Sequence, residues 1–153
     1  MQNDPAHALQ RPTLAIIREL FLGKIVTESR SPAGNFLGFT LENIERGMAT
    51  ISLPVKKELT NPFGNIHGGA VALIMDEVIG WTVLSLESDT YYTSLNLNVD
   101  FLYAAALSEK VFATATVVRH GKKIVHVDCV VKNESGTLIA KATSNLIATG
   151  MKP

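Results

Sequence analysis

The alternation of apolar and polar residues divides this chain into a short helix, a hairpin, one long helix and a run of strands. Between Thr13 and Val26 the apolar residues Leu14, Ile17, Leu20 and Phe21 recur at helical spacing, with Arg18, Glu19 and Lys24 among them. One apolar stripe results, which predicts a short leading helix. The cluster Ser31-Pro32-Ala33-Gly34-Asn35 then reads as a break. Leu37, Phe39 and Leu41 alternate as a strand does, Glu45-Arg46-Gly47 signals a turn, and Met48 to Val55 alternates again through Ala49, Ile51, Leu53 and Val55. Two such strands make a hairpin.

Thr60 to His67, rich in Asn, Pro and Gly, predicts a loop. The helix expected after it is apolar nearly all the way round, through Val71, Leu73, Ile74, Met75, Val78, Ile79, Trp81, Val83 and Leu84. A helix without a polar face is buried on most sides. Beyond Glu87-Ser88-Asp89, the residues Thr93, Leu95, Leu97, Val99 and Phe101 alternate with Ser94, Asn96, Asn98 and Asp100, which predicts a strand with one apolar and one polar face. Three further strands are expected, Lys110 to Val118, Lys123 to Lys132 and Leu138 to Ala148. The turns Arg119-His120-Gly121-Lys122 and Asn133-Glu134-Ser135-Gly136 join them. Such short turns leave no room for crossovers, so the sheet is expected to be antiparallel. A sheet wrapped around one helix covers only one side of it, and a second copy of the chain is the simplest cover for the other. A homodimer is expected.

Composition removes several function classes. The 153 residues are 46% hydrophobic, enough for a single core, and 14 basic residues balance 14 acidic ones. No overall field exists to draw the chain to nucleic acid or to an anionic membrane. The one cysteine, Cys129, lies in an apolar alternating stretch, which excludes an intrachain disulfide and a cysteine-rich zinc site. The longest apolar run, Ala70 to Leu86, is interrupted by Asp76 and Glu77 and falls short of the roughly 20 residues of a membrane span. The first 13 residues hold Asp4 and Pro5 and lack the basic start and apolar centre of an export signal, so a cytoplasmic location is expected. His7, His120 and His126 show no metalloenzyme spacing with acidic neighbours, and no metal is expected.

Asp76 and Glu77, in the middle of an apolar helix, need a reason, because a carboxylate removed from water is costly unless partners offset it. Asp76 is either bonded locally or kept for chemistry, and Glu77 is the rival carboxylate. Gly68-Gly69 at the helix start adds backbone N–H groups suited to developing negative charge. Each candidate also has a structural alternative. Gly68 can be a tight turn, Asn61 a loop residue bonding its own backbone, Asp76 an ion-pair member, and Ser94 one more polar residue on a strand face. No Gly-x-Ser-x-Gly elbow is present, so His67 near Asp76 and Ser94 does not make a serine-nucleophile triad.

The set Asn61, Gly64, His67, Gly68, Gly69 and Asp76 resembles the hotdog-fold acyl-CoA thioesterases. So do the strand Ser94-Leu95-Asn96-Leu97-Asn98-Val99-Asp100-Phe101-Leu102 and the turn Arg119-His120-Gly121-Lys122-Lys123. The similar branch is that of phenylacetate-pathway thioesterases and human thioesterase superfamily member 2. The resemblance implies an α+β hotdog fold, an antiparallel sheet of five to six strands wrapped around one long buried helix. It divides the chain into an N-terminal extension with a short helix, residues 1–30, and a hotdog thioesterase domain, residues 31–153. It implies hydrolysis of a CoA thioester to free acid and CoA, so coenzyme A belongs to the substrate and no cofactor is needed. Gly68 would offer its N–H to the thioester oxygen, Asn61 would help polarise it, Asp76 would be base or nucleophile, and Ser94 would orient the water. His67 and Gly69 would fix the loop, and Arg119, His120, Gly121, Lys122 and Lys123 would meet the CoA phosphates. Dimers with one continuous sheet, often paired as tetramers, are implied too. A hotdog enoyl-CoA hydratase or dehydratase and a non-catalytic acyl-CoA binding module are the alternatives. The first works through a histidine on the substrate's carbon chain, and the second has no use for a base such as Asp76.

Helix geometry adds one expectation. Gly68 and Asp76, eight residues apart, are separated by about 12 Å on a helix, while donor and base must each lie about 3 Å from reacting atoms. The expected site therefore pairs Gly68 of one subunit with Asp76 of the other, across antiparallel helices. Trp81, Ile79, Met75, Phe63 and Tyr91 are candidates to line an acyl pocket.

Overall fold

In the computed structural model, which describes residues 12–152, one long helix lies against one face of a six-stranded antiparallel sheet. What the sequence suggests for residues 1–11, His7 and most of the export-signal region, lies outside the described residues. The elements are α1 (Leu14–Phe21), α2 (Pro32–Leu37), β1 (Thr40–Glu45), β2 (Met48–Pro54), α3 (Gly68–Leu84), β3 (Tyr92–Phe101), β4 (Lys110–His120), β5 (Ile124–Asn133) and β6 (Leu138–Ala148). The strand order is β1-β2-β4-β5-β6-β3, with every neighbouring pair antiparallel. This is the α+β hotdog arrangement expected from the sequence.

The core lies between α3 and the inward-facing residues of the strands. Ile74, Met75, Val78 and Ile79 of α3 are fully buried, against Ala49 and Ile51 of β2, Val111, Ala113 and Ala115 of β4, Val125 and Val127 of β5, and Ala140 of β6. Alanines on β4 and β6 leave room for a bulky helix, and each fully buried Val, Ile or Met contributes about 1.5–3 kcal/mol. No described helix is long and apolar enough to cross a membrane.

Two expectations need correction. Leu37 ends α2 instead of opening the first strand, which starts at Thr40. The supposed break is itself a capped helix. Ser31 Oγ accepts from Gly34 N–H at 3.1 Å, Pro32 occupies the first turn where its missing N–H costs nothing, and Gly38 closes the helix at φ 62°, ψ 47°. The leading helix stops at Phe21 and not at Val26, because Gly23 turns the chain at φ 72°. From there Lys24 O accepts from Leu41 N–H, and Val26 N–H donates to Phe39 O, fastening the segment beside β1. Ile17 and Val26 are buried, and the ring of Phe21 meets Trp81 edge-on at 5.2 Å. The N-terminal segment thus covers the β1 end of the sheet.

Candidate active site

The loop leading to α3 is closed by Asn61. Its Oδ1 accepts from the N–H of Phe63 at 2.9 Å and of Asn65 at 3.2 Å, and its carbonyl accepts from Gly64, which sits at φ 78°. Asn61 Oδ1 thus bonds its own loop, while its Nδ2 donor has no partner among the described residues. His67 caps the helix, its Nδ1 accepting from Gly69 N–H at 2.8 Å. A ring nitrogen that accepts bears no proton, which sets the tautomer. The ring lies over Gly69, where a Cβ would meet Nδ1 at 3.1 Å.

An α-helix opens with four N–H groups that have no partner within it. Here His67 N–H donates to Leu59 O, Gly69 N–H to the His67 ring, and Ala70 N–H to His67 O. Only Gly68 N–H is left free among the described residues. Phe101 lies across it, its Cζ 3.3 Å from where a Cβ on Gly68 would stand.

Asp76 stands midway along α3. Its apolar neighbours in sequence imply burial, yet it is exposed in the single chain, because the sheet covers only one side of the helix. The uncovered side carries Gly69, Ala72, Leu73, Asp76 and Gly80, all small except Leu73 and Asp76. Asp76 Oδ1 accepts from Ser94 Oγ–H at 3.0 Å. Around this pair opens a groove of about 390 Å³, lined also by Ala72, Leu73, Leu95, Asn96 and Leu97. Glu77 points elsewhere. Its Oε1 accepts from Trp81 Nε1–H at 3.0 Å and its Oε2 from Ser31 Oγ–H at 2.8 Å, so both oxygens hold α2 against α3. Gly34 permits that approach, since a Cβ there would lie 2.1 Å from Glu77 Oε1.

Strict alternation would place Ser94 with Asn96, Asn98 and Asp100, facing away from α3. A bulge reverses it. Ser94 pairs with Leu146 and Asn96 with Asn145, leaving Leu95 as an extra residue without a partner on β6. Side-chain direction therefore changes phase at Leu95. Ser94 shares the helix-facing side with Leu97 and Val99, and Leu95 is left 57% exposed. Sequence periodicity had no signal for this beyond the surplus residue itself.

The residues considered for an acyl pocket are dispersed. Met75, Ile79 and Trp81 belong to the core, Trp81 between Phe21 and Phe39, while Phe63 is 86% exposed in the loop before α3. Neither they nor Tyr91 line the groove at Asp76.

The basic tip is also built differently from the expected turn. Arg119 and His120 continue β4 past a second bulge at Val118, so the turn is Gly121–Lys123. His120 faces Tyr92, with Nε2 at 3.3 Å from both the Tyr92 hydroxyl and Ser88 Oγ. Lys122 and Lys123 are exposed. Ser88 follows the C-terminal end of α3, so within one chain this tip and Gly68 lie at opposite ends of the helix. Among the described residues no group of three or more His, Cys, Asp or Glu is placed to hold a metal ion.

One long helix laid on a six-stranded antiparallel sheet is the hotdog arrangement, and this chain adds to it an N–H free among the described residues at the helix start and a hydroxyl-bonded carboxylate at its middle. The model of the thioesterase superfamily matches residues 63–140, slightly over half the chain. Human acyl-coenzyme A thioesterase 13 is 31% identical over 129 residues, covering 82% of this chain and 87% of that protein. Zebra fish thioesterase superfamily member 2 shares the fold at a TM-score of 0.77 and 21% identity, over 90% of this chain and 99% of that one. A hypothetical thioesterase from Streptococcus pneumoniae, solved with coenzyme A, does so at 0.71 and 24% identity, over 75% and 88%. The chain belongs to the thioesterase superfamily of thioester hydrolases.

Proposed function

We propose that this protein hydrolyses acyl-CoA thioesters as a homodimer with two active sites, each built from both subunits. One observation carries the proposal. The free Gly68 N–H and the Ser94-bonded Asp76 lie on one rigid helix, about 12 Å apart along its axis, and the face between them is uncovered. One thioester carbonyl cannot reach both. Two antiparallel copies of α3 related by a two-fold axis opposite Ala72 bring each Gly68 against Asp76 of the partner subunit, since residues 68 and 76 are equally far from 72. Ala72 and Gly69 are small enough to let the two helices meet.

The strand beside the helix supports the same axis. β3 is a ten-residue edge strand, unpaired on its outer side. In one chain Phe101 lies against Gly68 and Ser94 against Asp76. The rotation that joins Gly68 to Asp76 of the partner subunit therefore sets Phe101 beside Ser94 of the partner subunit, and the two β3 strands can pair antiparallel into one sheet. An exposed edge of this length is otherwise an aggregation liability.

In such a site Asp76 acts either as general base on a water molecule or as nucleophile on the thioester carbon. Ser94 holds its carboxylate in one orientation. Charge developing on the carbonyl oxygen meets Gly68 N–H of the other subunit, with Asn61 Nδ2 as a second donor. The C–S bond then breaks and CoA leaves as a thiolate; on the nucleophile route water then cleaves the acyl–Asp76 anhydride, releasing the acid and restoring the carboxylate. Thiols are far more acidic than alcohols, so no strong general acid is needed. Arg119, His120, Lys122 and Lys123, on the chain that supplies Asp76, offer side-chain donors to the CoA phosphates, while Gly121, whose N–H donates to Ile124 O, lets the tip turn tightly. Residues 1–30 are an extension to a hotdog domain of residues 31–153, its described part fastened at β1 and away from the groove.

The test is thiol release from a panel of acyl-CoA esters by Asp76→Asn, with the dimer confirmed by sedimentation. Loss of a general base lowers turnover by roughly 10²–10⁴-fold. Undiminished hydrolysis would end the proposal, and tight binding without turnover by the unaltered protein would make it a binding module.

A further inference from the structure

Two registers compete at the start of β3. A regular ladder would turn Leu95 inward, in phase with Leu97 and Val99, and would bury an apolar side chain that the observed bulge leaves 57% exposed. That regular ladder would also send Ser94 to the outer face, away from Asp76. The bulge runs against the hydrophobic pattern, so other contacts must hold it.

They converge on Asn96, the first residue after the extra one. The Asn145 N–H of the neighbouring strand donates to Asn96 Oδ1 at 2.9 Å, a side-chain acceptor placed where the ladder is interrupted. Ser144, a fully buried polar residue, donates its Oγ–H to Asn96 O at 2.8 Å. A buried hydroxyl needs a partner, and this one is found only if Asn96 keeps its place. His126 holds the Asn145 side chain from the far side, its Nδ1 at 2.8 Å from Asn145 Oδ1.

We infer that Asn96 and Ser144 are positioning residues for hydrolysis: they pin the Leu95 bulge, and the bulge turns Ser94 onto the Asp76 carboxylate. Asn96 also lines the groove, but neither side chain bonds the Asp76 carboxylate, whose hydroxyl partner is Ser94. The inference rests on the role given above to Asp76 and Ser94, and its structural part can be judged separately.

The experiment compares Ser94→Ala, Asn96→Ala, Asn96→Asp and the double variant Asn96→Ala/Ser144→Ala in crystal structures and in steady-state hydrolysis of a CoA thioester, with Ser94→Ala combined with Asn96→Ala in the kinetics alone. The double variant should show Leu95 turned inward and the Ser94–Asp76 hydrogen bond lost. Asn96→Ala should lower kcat by roughly tenfold to a hundredfold with KM little changed, as misplacement of a catalytic group does. Adding Ser94→Ala to Asn96→Ala should cost nothing further, and Asn96→Asp, which keeps an acceptor oxygen for Asn145 N–H, should restore turnover. A double variant that keeps both the bulge and the Ser94–Asp76 bond overturns the inference whatever its activity, as does a full additional loss from Ser94→Ala. Full activity in Ser94→Ala alone would instead refute the role proposed for Ser94, with the bulge still judged by the structures.

Discussion

Asp76 and Glu77 are neighbours in one helix and have opposite fates, because 100° of helical rotation turns one away from the sheet and the other towards α2. Glu77 spends both oxygens on Trp81 and Ser31. Gly34→Ala tests that clasp. Its Cβ would force Glu77 out of a contact 2.1 Å away, so the loss of the two hydrogen bonds should cost about 2–3 kcal/mol in urea melts. Cys129 gives a pH prediction. Burial pushes its thiol from 9.0 up to about 12, so the folded state holds the proton more tightly than the unfolded chain. Its contribution is fully present below pH 9 and is lost as the pH rises towards 12. In that window it should fall by at most about 1.4 kcal/mol per pH unit. Urea melts of the unaltered protein and Cys129→Ala at pH 8 and pH 11 should show a shallower decline in the variant. Equal declines would mean that the thiol does not titrate in that way.

The start of α3 shows how a helix terminus can be satisfied except at one chosen atom. Gly68 is the first helical residue, after His67 at φ −69°, ψ 138°, a backbone that a following proline accepts. Gly68→Pro should therefore keep the helix while deleting its one free N–H, with only the exposed Phe101 ring needing to shift. Turnover should fall roughly 10²–10³-fold with thermal stability nearly unchanged, read by calorimetry beside thiol release. Much of this element was legible beforehand: the apolar run, the Gly-Gly start and the loop residues need only local chemistry. α2 was missed because Ser31, Pro32 and Gly38 signal caps and breaks alike, and six residues are too few for a periodic pattern to separate them. The Leu95 bulge was illegible for a different reason. Its clamps come from Ser144 and Asn145, some fifty residues away in the chain.

The assembly has its own predictions, since one chain carries every part of the proposed site and still cannot bring its own Gly68 and Asp76 together. Ala72→Trp puts a large side chain on the partly exposed middle of the helix face, where it leaves the core untouched. It should shift sedimentation from dimer, or a multiple of it, to monomer and remove activity together. Mixed dimers give a sharper check. Gly68→Pro and Asp76→Asn subunits, each inactive alone, should recover one working site when combined, because one of the two shared sites then has both its donor and its acid intact. Sites contained within single chains would recover none.

The linear order of residues was enough to settle which segments are strands and which is the central helix, because hydrophobic period and turn chemistry act over a few residues. It brought forward Asn61, His67, Gly68 and Asp76 as candidates, whose types and spacing are local, while the roles given to them came from a family resemblance. Folding in three dimensions was needed to show which side of α3 stays uncovered, which of two adjacent acids faces the open groove, and that Ser94 faces Asp76. Those outcomes depend on where the sheet stops and on hydrogen bonds between distant strands, neither of which leaves a periodic mark in the chain.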